Sequence, residues 1–105
     1  MTTPTIALDL ELVRVLADPV RAAIVRALAV EQLCTCHLVS VTGARQTNVS
    51  NHLRVLRDAG VVGSEPAGRY TYYRLRPDVF ERLAAQLAEL ATTASTTTDR
   101  RRPCD

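Results

Sequence analysis

Residues 46–60 constrain this chain more than any other stretch. In Gln46-Thr47-Asn48-Val49-Ser50-Asn51-His52-Leu53-Arg54-Val55-Leu56-Arg57, Val49, Leu53 and Leu56 fall at i, i+4 and i+7. That spacing predicts a helix over Gln46–Ala59 with one narrow apolar stripe. Gly60 follows as a C-cap, and Val61-Val62 begins an extended segment. The outer face (Gln46, Thr47, Asn48, Ser50, Asn51, Arg54) carries short hydrogen-bonding side chains beside arginine. Such a face has to meet water or a polar partner, so the rest of the fold lies on the other side.

The neighbouring segments supply that support. Residues 6–17 read as a helix that is apolar nearly all round, which points to a second surface to cover, often a partner subunit. Asp18-Pro19 restarts the chain as N-cap and first helical residue, and Pro19–Ala29 places Val20, Ile24 and Leu28 on one face. Glu31–Val39 reads as a third short helix and Val41–Ala44 as a turn. Val61–Ser64 and Tyr70–Leu75 read as strands joined by a Glu65–Arg69 loop containing Pro and Gly. Pro77 opens a last helix with Val79, Phe80, Leu83, Leu87 and Leu90 in a broad stripe. From Thr92 to Thr98 six of seven residues are Ser or Thr, so order is expected to fade there. The expected fold is mainly α with a β-hairpin wing, a winged helix-turn-helix. The expected organisation is one domain over residues 1–91 and a flexible tail over 92–105 that carries Cys104.

Charge sharpens the picture. All 13 basic residues are Arg, against 11 acids, a net of only +2. Residues 45–76 hold six of those arginines against Asp58 and Glu65, a local +4 between two segments of −1 each. A basic helix and wing fit an anionic polymer. Gln and Asn offer paired donor–acceptor geometry to base edges in a major groove, while Ser and Thr serve bases or phosphates. Arg45 and Arg54 are assigned to phosphates, and Arg69 at the wing tip to phosphate or minor groove. No apolar stretch approaches the roughly 18–20 residues of a membrane span, and no export signal opens the chain. A cytoplasmic protein with reduced thiols is the expectation.

Three cysteines cannot all close into intrachain disulfides. Cys34-Thr35-Cys36 carries the chemistry. Residues two apart on an ideal helix diverge by roughly 200°, so one ion held by both thiols requires the first turn to bend or unwind. Ligation would then strain the helix just before the recognition helix. Two thiolates are too few for a closed tetrahedral zinc site, whereas soft ions accept sulfur-only ligation with few donors. His37 beside Cys36 offers a mixed S/N site for Zn(II), Cd(II) or another divalent ion, but reads more simply as a supporting or surface residue. A Cys36–His37 nucleophile–base pair lacks an orienting acid, so a thiol enzyme or metalloid chaperone is the weaker class.

Leu16-Ala17-Asp18-Pro19-Val20-Arg21, Leu33-Cys34-Thr35-Cys36-His37-Leu38, the Gln46–Arg57 run and Gly68-Arg69-Tyr70-Thr71-Tyr72-Tyr73-Arg74-Leu75 together resemble the ArsR/SmtB family of bacterial metalloregulatory repressors. The resemblance covers roughly residues 10–90. It implies a homodimer that binds an inverted-repeat operator and releases it when a toxic metal or metalloid binds. Gln46, Thr47, Ser50 and Asn51 fall at positions matching the family's reading surface. Cys-x-Cys here resembles the family's arsenite and antimonite sensors, in which a third Cys follows shortly; this chain has Val39 there. The family's zinc sensors carry Asp and His ligands on the last helix, and residues 77–91 contain no His.

The remaining thiol is Cys104. The thirteen residues beyond Ala91 reach roughly 45 Å when extended, enough to bring it to the site in either subunit. The expected inducer site is therefore As(III), or Sb(III), on Cys34, Cys36 and Cys104, with no organic cofactor. A repressor answering Cd, Pb, Zn or thiol oxidation is the nearest alternative.

Overall fold

The computed structural model describes residues 6–97 and 99–104; expectations that touch residues 1–5, Thr98 and Asp105 lie outside it. The elements run α1 (Leu10–Leu16), α2 (Pro19–Leu28), β1 (Leu33–Cys34), α3 (Thr35–Thr42), α4 (Gln46–Asp58), β2 (Val62–Ala67), β3 (Tyr70–Leu75) and α5 (Pro77–Thr96). The sheet is antiparallel throughout in the order β1-β3-β2, with β2 and β3 forming the wing. This is the winged helix-turn-helix expected from the sequence.

The core is aliphatic. Ile24 of α2, Leu38 of α3, Val49 and Leu56 of α4, and Val61 are 0% exposed. Leu53 is 2% exposed, so the whole apolar stripe of α4 is buried as its spacing demands. Tyr73 and Leu75 pack on this core from the wing, and Leu83 from α5. Leu10, Val13, Leu87 and Leu90 of α1 and α5 stay largely exposed, which leaves both helices with apolar surface uncovered.

Four expectations change, each for a physical reason. Helix α1 starts at Leu10 rather than Ile6, because Asp9 caps it: its carboxylate accepts the Leu12 N–H at 3.0 Å. The Asp9 N–H in turn donates to Gln86 Oε1 at 2.8 Å, fixing the chain entry on α5. The helix expected over Glu31–Val39 is instead a two-residue strand followed by a helix that runs to Thr42. Leu33 and Cys34 are held extended by pairing with Tyr73 and Tyr72, a long-range contact that local propensity does not register. Val41 and Thr42 complete α3, and Gly43 at φ 69° ends it in the left-handed conformation suited to glycine.

The wing is tighter than expected, since β2 runs to Ala67 and leaves only Gly68 and Arg69 as the turn. Pro66 is tolerated because β2 is an edge strand. Finally α5 extends past Ala91 to Thr96. The Ser95 and Thr96 hydroxyls donate to the Ala91 and Thr93 carbonyls at 2.9 Å, so the Ser/Thr run satisfies backbone groups of the helix it was expected to end.

Asp18 ties the first two helices to α4. Its carboxylate accepts the Val20 and Arg21 N–H groups at 2.9 and 3.0 Å. Arg21 donates through Nε to the Val15 carbonyl at 2.6 Å and lies 3.1 Å through Nη1 from His52 Nδ1. The Arg21 N–H bond, with His52 and Val20, holds the Asp18 carboxyl below its usual value. A carboxylate whose folded value is depressed stabilises the fold above its unfolded value, about 3.9, and loses that contribution as pH falls through the folded value. Asp18→Asn keeps an N-capping oxygen but removes the titration. Its melting temperature is therefore expected to fall less steeply than wild type below about pH 4.5; an unchanged slope would exclude the assignment.

Candidate metal centre and DNA-reading face

Cys34 sits at the N-cap of α3 with extended backbone (φ −88°, ψ 171°), while Cys36 is the second helical residue. The divergence of thiols two apart holds only when both residues are helical. With Cys34 outside the helix, its sulfur folds back over the first turn, and Cys34, Cys36 and His37 bring their ligand atoms within 4.8 Å of one another. The two thiols thus approach one another with α3 intact, where two helical residues at this spacing would point apart.

His37, set aside on sequence, lies inside this cluster. Its Nδ1 accepts the Cys34 N–H at 3.2 Å and lies 3.3 Å from the Cys34 sulfur. This is the geometry of a capping box with Cys in place of Ser and His in place of Glu. The signal was the three-residue spacing from Cys34 to His37, readable only once residue 34 is known to be the cap.

A hydrogen bond from Cys36 holds the Cys34 thiol below its ordinary value, helped by backbone N–H groups at the helix start and opposed by burial. The same bond pushes Cys36 up. Cys34 is therefore the readier thiolate, buried at 4% exposure, and Cys36 the exposed partner.

The cluster opens into a depression of about 260 Å³ walled by Tyr70 and Tyr72, with the His37 and Tyr72 ring centroids 6.4 Å apart. A second depression of about 320 Å³ runs from Cys34 and Cys36 past Tyr73 to Gln46 and Arg69. The thiols thus lie between the first residue of α4 and the tip of the wing. Cys104 is exposed and stands outside the cluster in this chain. Extension of α5 to Thr96 also shortens the free tail that would have to carry it there.

The polar set of α4 is displayed as the sequence required. Arg45, Gln46, Thr47, Asn48, Ser50, Asn51 and Arg54 are all exposed, and Arg69 crowns the wing. Arg54 Nη2 donates to Asn51 Oδ1 at 3.3 Å, which orients the Asn51 amide on the outer face. His52 turns inward to Arg21, a structural role.

Residues 18–64 match the family model described as "Bacterial regulatory protein, arsR family". Over this stretch the chain is similar to the ArsR/SmtB family. It is 49% identical over 65 residues to the HTH-type transcriptional repressor SmtB of Mycobacterium tuberculosis, covering 62% of this chain and 48% of the relative. It is 38% identical over 73 residues to the arsenic resistance transcriptional regulator ArsR1 of Pseudomonas putida, covering 69% and 57%. A crystal structure described as a possible transcriptional regulator for arsenical resistance superposes with a TM-score of 0.71 at 29% identity, covering 90% of this chain and 100% of that one. The chain spans about half the length of the curated relatives it matches. Both relatives are named as transcriptional regulators, and among the described residues no helix is long and apolar enough to cross a membrane.

Proposed function

We propose that this chain is an ArsR/SmtB-type DNA-binding repressor of a metalloid-resistance operon, released from its operator when As(III), or Sb(III), binds Cys34 and Cys36. One observation carries the reading. The paired thiols sit on the β1–α3 junction, where Cys34 pairs with Tyr72 of the wing, and one depression joins them to Gln46 and Arg69. A ligand that draws the two sulfurs together pulls on β1, hence on β3 and the angle between wing and recognition helix. The required coupling is modest, about 1–3 kcal/mol.

Arg45, Arg54 and Arg69 are assigned to phosphates, with Arg69 also able to enter a minor groove; Gln46, Thr47, Asn48, Ser50 and Asn51 form the reading face in the major groove. A homodimer through the uncovered faces of α1 and α5 would set two such helices on consecutive grooves of an inverted repeat. Cys104 is assigned as the third sulfur for inorganic arsenite, delivered by the tail of either subunit. The position of His37 favours a second reading, a Cys34–Cys36–His37 site for a divalent ion such as Cd(II) or Zn(II).

The deciding experiment follows fluorescence anisotropy of an operator duplex selected from random DNA while arsenite, Cd(II), Zn(II) and peroxide are titrated separately. Release by arsenite at the lowest concentration is expected. Release by Cd(II) or Zn(II) alone would transfer the assignment to the mixed S/N site, and release by peroxide alone to a thiol-oxidation sensor.

A further inference from the structure

Trivalent arsenicals differ in how many sulfurs they can take. Arsenic(III) has three valences, and the cluster brings only two thiols together. His37 does not supply a free third donor at Nδ1, because that nitrogen already accepts the Cys34 N–H. What stands beside the thiols is instead an aromatic wall. Tyr70 and Tyr72 line the depression of about 260 Å³ into which both sulfurs open, and Tyr70 is 56% exposed, leaving its ring free to meet a ligand.

We propose that Cys34 and Cys36 form a two-sulfur site for organic arsenicals of the type R–As(III), whose single carbon substituent rests against Tyr70 and Tyr72. This inference rests on the arsenic reading of the site given above. The chemistry balances without redox change. An arsonous acid, R–As(OH)2, exchanges its two hydroxyls for two thiolates; each thiol proton leaves with a hydroxyl as water, two As–S bonds replace two As–O bonds, and arsenic stays trivalent. The As–C bond is kept, so no valence is left for a third thiol. Inorganic arsenite, by contrast, retains an As–OH after reacting with the pair and gains a third sulfur only if the tail is ordered to bring in Cys104. An aryl substituent also gains ring-to-ring contact with the tyrosines.

The test measures the concentration of arsenite, methylarsonous acid and phenylarsonous acid that half-releases the operator duplex from the full chain. In wild type the phenyl compound is expected to act at least about tenfold below arsenite. Cys104→Ser should raise the arsenite value by about tenfold while moving the phenyl value less than about twofold. Tyr70→Ala, and separately Tyr72→Leu, should cut the phenyl-over-methyl preference by about three- to tenfold. Operator binding before any arsenical is added reports whether each variant is folded; if Tyr72→Leu is not, exposed Tyr70 carries the test.

Equal weakening of phenyl and inorganic responses by Cys104→Ser, or a phenyl preference indifferent to both tyrosines, overturns the two-sulfur site while leaving an arsenic sensor in place. If Cys34→Ser and Cys36→Ser leave all three responses intact, the inducer site lies elsewhere and the two-sulfur site falls with it; if no arsenical releases the duplex, the arsenic reading itself falls.

Discussion

Replacing Cys34 and Cys36 together by serine is expected to abolish arsenite release of the operator, shifting the half-release concentration by more than about 100-fold, while ligand-free operator affinity stays within about twofold of wild type. The asymmetry follows from where the thiols sit. Neither belongs to the exposed set of α4, so the reading face keeps its side chains. Serine is a better N-cap than cysteine, so Cys34→Ser preserves the start of α3 and its pairing with Tyr72. The hydroxyl, with a far higher pKa than a thiol, supplies no thiolate to a soft ion. The single variants separate the roles. Cys36→Ser removes the exposed sulfur, and Cys34→Ser removes the one held toward thiolate by its partner's hydrogen bond. An arsenite response surviving in the double variant would place the inducer site elsewhere.

What the sequence disclosed about this fold follows the range of each interaction. The stripe of Val49, Leu53 and Leu56 is set by helical period alone, and all three are buried. Asp18-Pro19 marks the start of α2 through local hydrogen bonds, and the structure reproduces that boundary. The error that matters for the site lies where distant chain decides. Leu33 and Cys34 are extended only because Tyr73 and Tyr72 arrive beside them, some forty residues later in the sequence. That pairing makes Cys34 a cap rather than a helical residue, and it alone turns divergent thiols into a convergent pair with His37. The candidate site was therefore legible in residue type, as Cys34 and Cys36, but not in geometry. The nearness of Tyr70, Tyr72, Gln46 and Arg69 to the sulfurs came from the sheet. Cys104 shows the reverse case: composition nominated it, and the fold of one chain does not bring it to the site.

Gln46→Ala and Asn51→Ala are each expected to weaken the selected operator by about 2–6 kcal/mol, taking about 1–3 kcal/mol for each base contact and two half-sites per dimer. Binding to random DNA should change little, because an amide reading a base edge contributes nothing where the base is wrong. Arg69→Ala should instead weaken both duplexes alike and lower the slope of log affinity against log salt by about two, one phosphate contact per wing. The measurement is a pair of anisotropy titrations, operator and scrambled duplex, across a salt series. Gln46 carries the sharper consequence, since it borders the depression that holds Cys34 and Cys36 while Asn51 does not. If closure of the thiols acts through the start of α4, the loss on Gln46→Ala overlaps with the loss on arsenite binding, and arsenite will release this variant with a smaller change in affinity than wild type. The Asn51→Ala loss should add to the arsenite effect in full, as separate sites do. Equal losses on both duplexes from the two amide variants would remove base reading from this face and leave α4 as a phosphate-binding helix.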